Sequence, residues 1–281
     1  MSTSSNSIHF RILEDIARDL SGDINFPTCL DAAILVRNSL KDPFASSEQV
    51  VQAIGIEPLI SSKLLRLANS VSYNPAGERI SDLGAVVRRL GFDIVRTTSL
   101  AVAMDQMLKS KNLSAYDRIA RKTWENSLQV AAIARVLARH LGRVKPDEAM
   151  LAGLVHNIGV FYLLYRAAEY PEYRNDEKAM FELLAGWHEG IGESLLHILG
   201  VPASITDAVR DQSHLQSTES PCSIGDILYF AIALASNDLP WRRSTMSDEE
   251  TAQREADRAR YIDLLKEAEE DITELRGALS A

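Results

Sequence analysis

Apolar residues along this 281-residue chain recur three and four apart nearly everywhere, and period-two alternation appears nowhere. Ser46-Ser47-Glu48 precedes Val50, Val51 and Ile54, a capped start with its apolar positions on one helical face. Pro58, tolerated in a first turn, opens Leu59, Ile60, Leu64, Leu65, Leu67 and Ala68. Ser81-Asp82 caps Leu83, Val86, Val87 and Leu90, and Gly91 stands where a helix C-terminus prefers glycine. Helical spacing resumes at Phe92, Val95, Leu100, Val102, Ala103 and Met107, and the polar stretch Lys109–Ser114 then divides the chain. Ala115–Leu141 reads as one long helix ended by Gly142, and Met150–Tyr165 as the central buried helix of the second half. Asp176–Leu199 reads as a helix broken near Gly190 and Gly192, with Ser204–Arg210, a loop at Ser217–Ser220 and a core helix Cys222–Ala235 following. Asp238–Ser247 looks like a linker. In the tail, Tyr261, Leu265, Ala268, Ile272, Leu275 and Leu279 alternate spacings of four and three. Under three heptads long, that stripe either packs back on the chain's own body or forms a dimer contact.

Composition narrows the class. Gly 14 and Pro 9 are few for this length, which disfavours a many-stranded sandwich or barrel. Hydrophobic residues at 46% and charged residues at 25% are ordinary for a globular protein. Cys29 and Cys222 lie too far apart for a metal-ligand or disulfide pattern, and read as buried or half-buried thiols in a reducing cytosol. Met1–Ser7 shows no charged n-region followed by an apolar stretch, and the longest apolar run, Ile227–Ala235, falls far short of the ~20 residues a membrane helix needs. A soluble, cytoplasmic protein without membrane contact is expected. The net charge of −9 offers no overall field for nucleic acid. Residues 248–281 hold eleven Asp/Glu against five Lys/Arg, so the acidity belongs chiefly to the tail and the body carries only −3.

Nucleophilic catalysis finds little support: no Gly-x-Ser-x-Gly elbow, no Cys/His signature and no Gly-rich loop after a strand are present. Gly186–Gly192 reads as a helix break, and His188-Glu189 lacks the second His of a zinc helix. The paired arginines Arg88-Arg89, Arg242-Arg243 and Arg135/Arg139 read as solvated faces or ion pairs before phosphate grips. The informative segment is Leu151-Ala-Gly-Leu-Val-His156-Asn157-Ile-Gly159. A histidine and an amide inside an apolar helix must either hydrogen-bond within the core or face a cavity.

This segment resembles the "LxHDIGxL" element of the HD superfamily of metal-dependent phosphohydrolases, with Asn157 in place of Asp. Phe26-Pro27, Leu40–Pro43, Glu57–Ser70, Arg79–Leu83, Val87–Arg96, Trp124–Leu128 and Gly192–Pro202 follow in the order of the HDOD domain, the HD-related output domain of bacterial signalling proteins. The resemblance covers roughly residues 20 to 215. It implies an all-α, HD-superfamily-like bundle: an N-terminal segment 1–19, a helical subdomain 20–112, an HD-like subdomain 113–237, and a linker with an acidic C-terminal helix over 238–281.

In catalytic relatives an early His, the His-Asp pair and a later Asp hold metal. Here the resemblance implies Asn126 at the first position and His156-Asn157 as the pair, with Asp238 close to the late position but out of register. His188 matches a downstream His, and Gln212-Ser213 falls where a further His is expected, with His214 one place late. A neutral carboxamide is a poor ligand for a divalent ion acting on phosphate. The expectation is therefore a non-catalytic regulatory protein, its old metal cleft surviving as a polar pocket of Asn126, His156, Asn157, His188 and His214. No cofactor is expected beyond a weakly held divalent metal on His156 and His188. The partner would be a signalling protein or a small phosphorylated ligand, with the C-terminal helix available for a homodimer. The rival reading is an active metal-dependent phosphohydrolase acting on a nucleotide or phosphoester.

Overall fold

Side-chain caps set where the helices begin. The computed structural model describes residues 3–21, 38, 46–141, 143–174, 176–213, 221–235, 239–243 and 247–279. Phe26-Pro27, Cys29, Leu40–Pro43, Gly142, His214, the loop Ser217–Ser220 and Asp238 lie outside the described residues. Helix α1 is Thr3–Ser21. Helix α2, Ser47–Gly55, starts on a reciprocal box: Gln49 N–H donates to Ser46 Oγ at 3.3 Å, and Ser46 N–H donates to Gln49 Oε1 at 2.9 Å. Helix α3, Pro58–Ala68, carries its proline in the first turn as predicted. Helix α4, Leu83–Leu108, is capped by Asp82, which accepts from Ala85 N–H at 2.8 Å. It kinks at Gly91, whose φ of 77° is left-handed and suits glycine. A 3₁₀ turn, Lys111–Tyr116, leads into α5, Asp117–Leu141.

The apolar run expected as one helix over Met150–Tyr165 is two: α6, Pro146–Val155, and α7, Ile158–Ala167. The ladder stops at His156 and Asn157, where Asn157 leaves helical geometry at φ −96°, ψ 11°. From Pro146 to Ala167 the chain has the length and hydropathy of a membrane span, yet 89% of that window is buried inside the bundle. The glycines expected to break the next helix do not: α8 runs continuously from Glu177 to Ile198. A Cβ on Gly159 of α7 would lie 1.9 Å from the His188 carbonyl oxygen and 2.8 Å from Gly192 N. Glycine at this crossing permits backbone-to-backbone contact, and that packing outweighs the roughly 1 kcal/mol a mid-helix glycine costs.

Helices α9, Ala203–Arg210, and α10, Ile224–Leu234, complete the second half, followed by the single turn Pro240–Arg243. Helix α5 is the axis, packed against α6 and α10, while α3 pairs with α4 and α7 with α8. Trp124 of α5 meets Phe161 of α7 edge to face at 6.5 Å within one continuous core. Among the described residues there is no strand.

The acidic tail is two helices instead of one: α11, Asp248–Tyr261, and α12, Leu265–Leu279, joined by a 3₁₀ turn at Ile262–Leu264. The turn lets α11 lie along α10 while α12 redirects onto α5 and α3. The heptad-like stripe faces inward, with Ala268, Leu275 and Leu279 buried and Tyr261, Leu265 and Ile272 packed at the margin. Cys222, expected to be sheltered, is exposed; the short segment before α10 leaves it outside the core.

Candidate functional site

The break between α6 and α7 exists around two polar residues in an apolar setting. His156 and Asn157 are fully buried, and Asn126, on α5, is 1% exposed. The Asn157 side chain donates from Nδ2 to Asn126 Oδ1 at 2.9 Å and to Ser127 Oγ at 3.1 Å. The two amides are thus spent on each other. Asn126 Nδ2 and Asn157 Oδ1 are buried without a hydrogen-bond partner among the described residues.

The histidines are held alike. Nδ1 of His156 lies 2.7 Å from the Gly153 carbonyl, and Nδ1 of His188 lies 2.8 Å from the Leu184 carbonyl. A carbonyl only accepts, so each Nδ1 carries the proton and each Nε2 presents a lone pair. Both Nε2 atoms are buried and lack a hydrogen-bond partner among the described residues. Burial, reinforced by the nearby Arg242 charge, pushes both imidazoles down to about 3, so they are neutral at physiological pH.

The predicted pocket is only partly assembled as expected. Asn126 and Asn157 touch, and His156 and His188 lie in the field of the same guanidinium. His188 lines a cavity that Asn126, His156 and Asn157, buried in the core, do not line. That cavity is about 690 Å³ and also takes in Ser213, Tyr229, Trp241, Arg242 and Arg254.

Arg242 departs from the solvated face expected for the Arg242-Arg243 pair. Its Nη2 donates to Gln212 Oε1 at 3.3 Å, and Gln212 Nε2 donates to the His156 carbonyl at 3.3 Å. Gln212, where the family pattern expects a histidine, is fully buried and ties Arg242 to the degenerate pair. The guanidinium lies 5.2 Å over the Trp241 ring, which meets His188 edge-on at 4.6 Å. Burial and the like charge of Arg254 pull Arg242 down to about 9, against the pull of Glu189. Sequence reading missed Arg242 and Arg254 because both fall in or beyond an apparent linker. The available signal was Trp241, a residue that a solvated linker has no reason to carry. Arg88 and Arg89 are exposed as read, and Arg135 and Arg139 are ion-paired with Asp271.

A divalent ion does not fit these donors. Two amides bonded to each other replace the early His and the carboxylate, and a guanidinium charge lies beside both imidazoles. The nearest carboxylate, Glu189, is 4.0 Å from His188 Nε2 and accepts the Ser213 hydroxyl.

Comparison with known proteins bears on this arrangement. The HDOD domain family matches residues 26–215. A provisionally named metal-dependent phosphohydrolase from Shewanella amazonensis SB2B has a similar structure at 21% identity, with TM-score 0.73, covering 99% of this chain and all of its own. An HDOD domain protein with unknown function from Geobacter sulfurreducens superposes at 19% identity and TM-score 0.56, covering 97% of this chain and 98% of its own. A provisionally named signal transduction protein from Marinobacter aquaeolei VT8 gives 18% identity and TM-score 0.53 over 97% of this chain and 66% of its own. No curated protein matches the chain.

Proposed function

Since the chain belongs to the HDOD domain family, we propose that it is a non-catalytic signal-transduction or regulatory protein whose HD-type cleft binds a ligand or partner instead of hydrolysing one. The observation that carries this reading is the Asn126–Asn157 amide pair. A hydrolytic centre would need anionic oxygen and imidazole nitrogen converging on an ion at this place. Here the amide groups close on each other, and the neighbouring positive charge comes from Arg242. The two neutral imidazoles and the adjoining cavity favour recognition of a small phosphorylated ligand. A signalling protein could read the same cleft through the exposed Trp187, next to His188. The burial of the long apolar run in α6 and α7 supports a bundle core in place of a membrane span.

The test is a metal analysis of the purified protein combined with a generic phosphoester assay in Mn²⁺. The expected result is substoichiometric metal and no turnover above buffer. Stoichiometric metal, with turnover abolished by His156→Ala, would establish the phosphohydrolase reading instead.

A further inference from the structure

Resting on that non-hydrolytic reading, we infer that Arg242 is a built-in replacement for the metal. The turn Pro240–Arg243 carries a guanidinium into the HD-type cleft, where it takes the cation's place beside His156 and His188 and keeps divalent ions out. The turn lies C-terminal to the family match, which ends at residue 215. The cleft therefore receives its cation from a part of the chain that the HDOD domain does not include.

Three contacts seat the turn. Trp241 is 1% exposed and meets the His188 ring edge-on at 4.6 Å. The Arg242 guanidinium lies 5.2 Å from the centroid of that same Trp241 ring. Its Nη2 donates to Gln212 Oε1 at 3.3 Å, and Gln212 Nε2 donates to the His156 carbonyl at 3.3 Å. One arginine is thus tied to each histidine, to His188 through an aromatic ring and to His156 through a buried amide. Both imidazoles feel its charge, which opposes their protonation. Carboxylates answer that charge as they would answer a metal ion. Glu189 holds the guanidinium in its charged form and stands 4.0 Å from His188 Nε2. Glu249 and Glu250 line the same cavity, and Glu250 acts on Arg254 in the same sense. The arginine is a balanced part of the wall, not a vacant grip for an anion.

The donor arrangement explains why a cation belongs here. Each imidazole gives its Nδ1 proton to a backbone carbonyl, and each buried Nε2 lone pair meets no hydrogen-bond donor among the described residues. Two such acceptors beside a carboxylate are costly to bury without positive charge close by. A divalent ion meets that need by bonding to nitrogen, whereas a guanidinium meets it through its field. Two cations do not share a poorly solvated cleft, since their repulsion is far stronger there than in water. The arginine therefore satisfies the cleft and closes it to metal in one step.

The experiment is calorimetric titration of the full-length, EDTA-treated protein with Zn²⁺, an ion that imidazole nitrogens suit. Wild type and Arg242→Lys, which keeps the positive charge, are expected to take up no ion at the cleft. Arg242→Gln removes the charge, keeps a donor for Gln212, and should bind Zn²⁺ at least tenfold more tightly than either. Adding His188→Phe to Arg242→Gln should erase the gain, which assigns it to the cleft and not to exposed histidines. If thermal melts show that Arg242→Gln folds only with Zn²⁺ present, the ion has replaced the arginine and the inference stands. It is overturned if Arg242→Gln gains no affinity, if Arg242→Lys gains as much, or if the gain survives His188→Phe. An Arg242→Gln variant that fails to fold and that Zn²⁺ does not restore overturns it too. None of these outcomes touches the non-catalytic reading, which falls instead if the wild type already holds stoichiometric metal and turns over a phosphoester.

Discussion

A single amide decides the chemistry at residue scale. Asn157 sits where a carboxylate would be, fully buried against Asn126 and Ser127. Asn157→Asp should destabilise the metal-free protein by about 1–3 kcal/mol at pH 7, since a fully buried carboxylate replaces the amide that donates to Asn126 and Ser127. Burial would raise the new carboxyl's pKa, so the ionised form carries the penalty. The deficit against wild type should therefore shrink as pH falls toward 4, and paired urea melts at the two pH values measure it. A deficit that grew on acidification would contradict this account. The buried histidines give wild type its own pH dependence. Their folded values of about 3 lie below the usual 6.5, so the unfolded chain binds more protons between those limits. Stability from this source is complete above pH 6.5 and erodes as pH falls toward 3, by about 2 kcal/mol per histidine at pH 5. Replacing both histidines with phenylalanine should flatten the stability profile between pH 7 and 5, if the variant folds. The unusual His-Asn pair was legible in the sequence as buried and polar. That Arg242 lies beside it was not, because the two are far apart in the chain and meet only through Gln212.

At the scale of elements, the periodic pattern located most helices from α2 onward but left α1, Thr3–Ser21, as an unassigned segment, and it failed where packing overrides local preference. The run Met150–Tyr165 carries apolar residues on all sides, so its periodicity could not show a break. The break is fixed by a partner helix, through the approach of Gly159 to the His188 carbonyl. Gly190 and Gly192 looked like breakers for the converse reason: glycine's meaning depends on what it faces. This can be tested along one crossing. Gly159→Ala places a methyl group against backbone, so it should cost more than about 3 kcal/mol. Gly186→Ala and Gly190→Ala, where an added Cβ meets nothing within 4 Å, should leave stability unchanged or raise it by up to about 1 kcal/mol. Guanidinium melts of the three variants check this, and equal effects would show that the close crossing is not what fixes α7 on α8.

For the whole molecule, the question is what fastens the acidic tail to the two halves. Two kinds of contact compete. Polar pins reach both halves: Lys63 Nζ donates to the Leu279 carbonyl at 2.9 Å, Ser72 N–H donates to Glu274 at 3.0 Å, and Arg139 pairs with Asp271 at 2.5 Å. Glu267 meets His140 at 2.6 Å, and Arg276 meets Glu125 at 2.6 Å. The apolar stripe buries Ala268, Leu275, Ala278 and Leu279. The exposed pairs at Glu267 and Arg276 contribute roughly 0–1 kcal/mol each and are screened by salt, only Lys63 and Asp271 among the pins are buried, and truncating one buried leucine costs roughly 2–5 kcal/mol. The stripe therefore holds the tail, and the charges choose where it lies. The two contributions separate by experiment. Raising NaCl to about 1 M should move the melting temperature by no more than a few degrees, while Leu275→Ala should lower it by about 5 °C or more. Deleting Leu265–Ala281 should lower it by roughly 10 °C, since the faces of α5 and α3 under the stripe are then bare. A large salt effect with a mild Leu275→Ala would reverse the order and make the tail an electrostatic clasp. The heptad-like spacing announced this helix in the sequence but could not name its partner, because an apolar stripe looks the same whether it faces its own chain or a second copy.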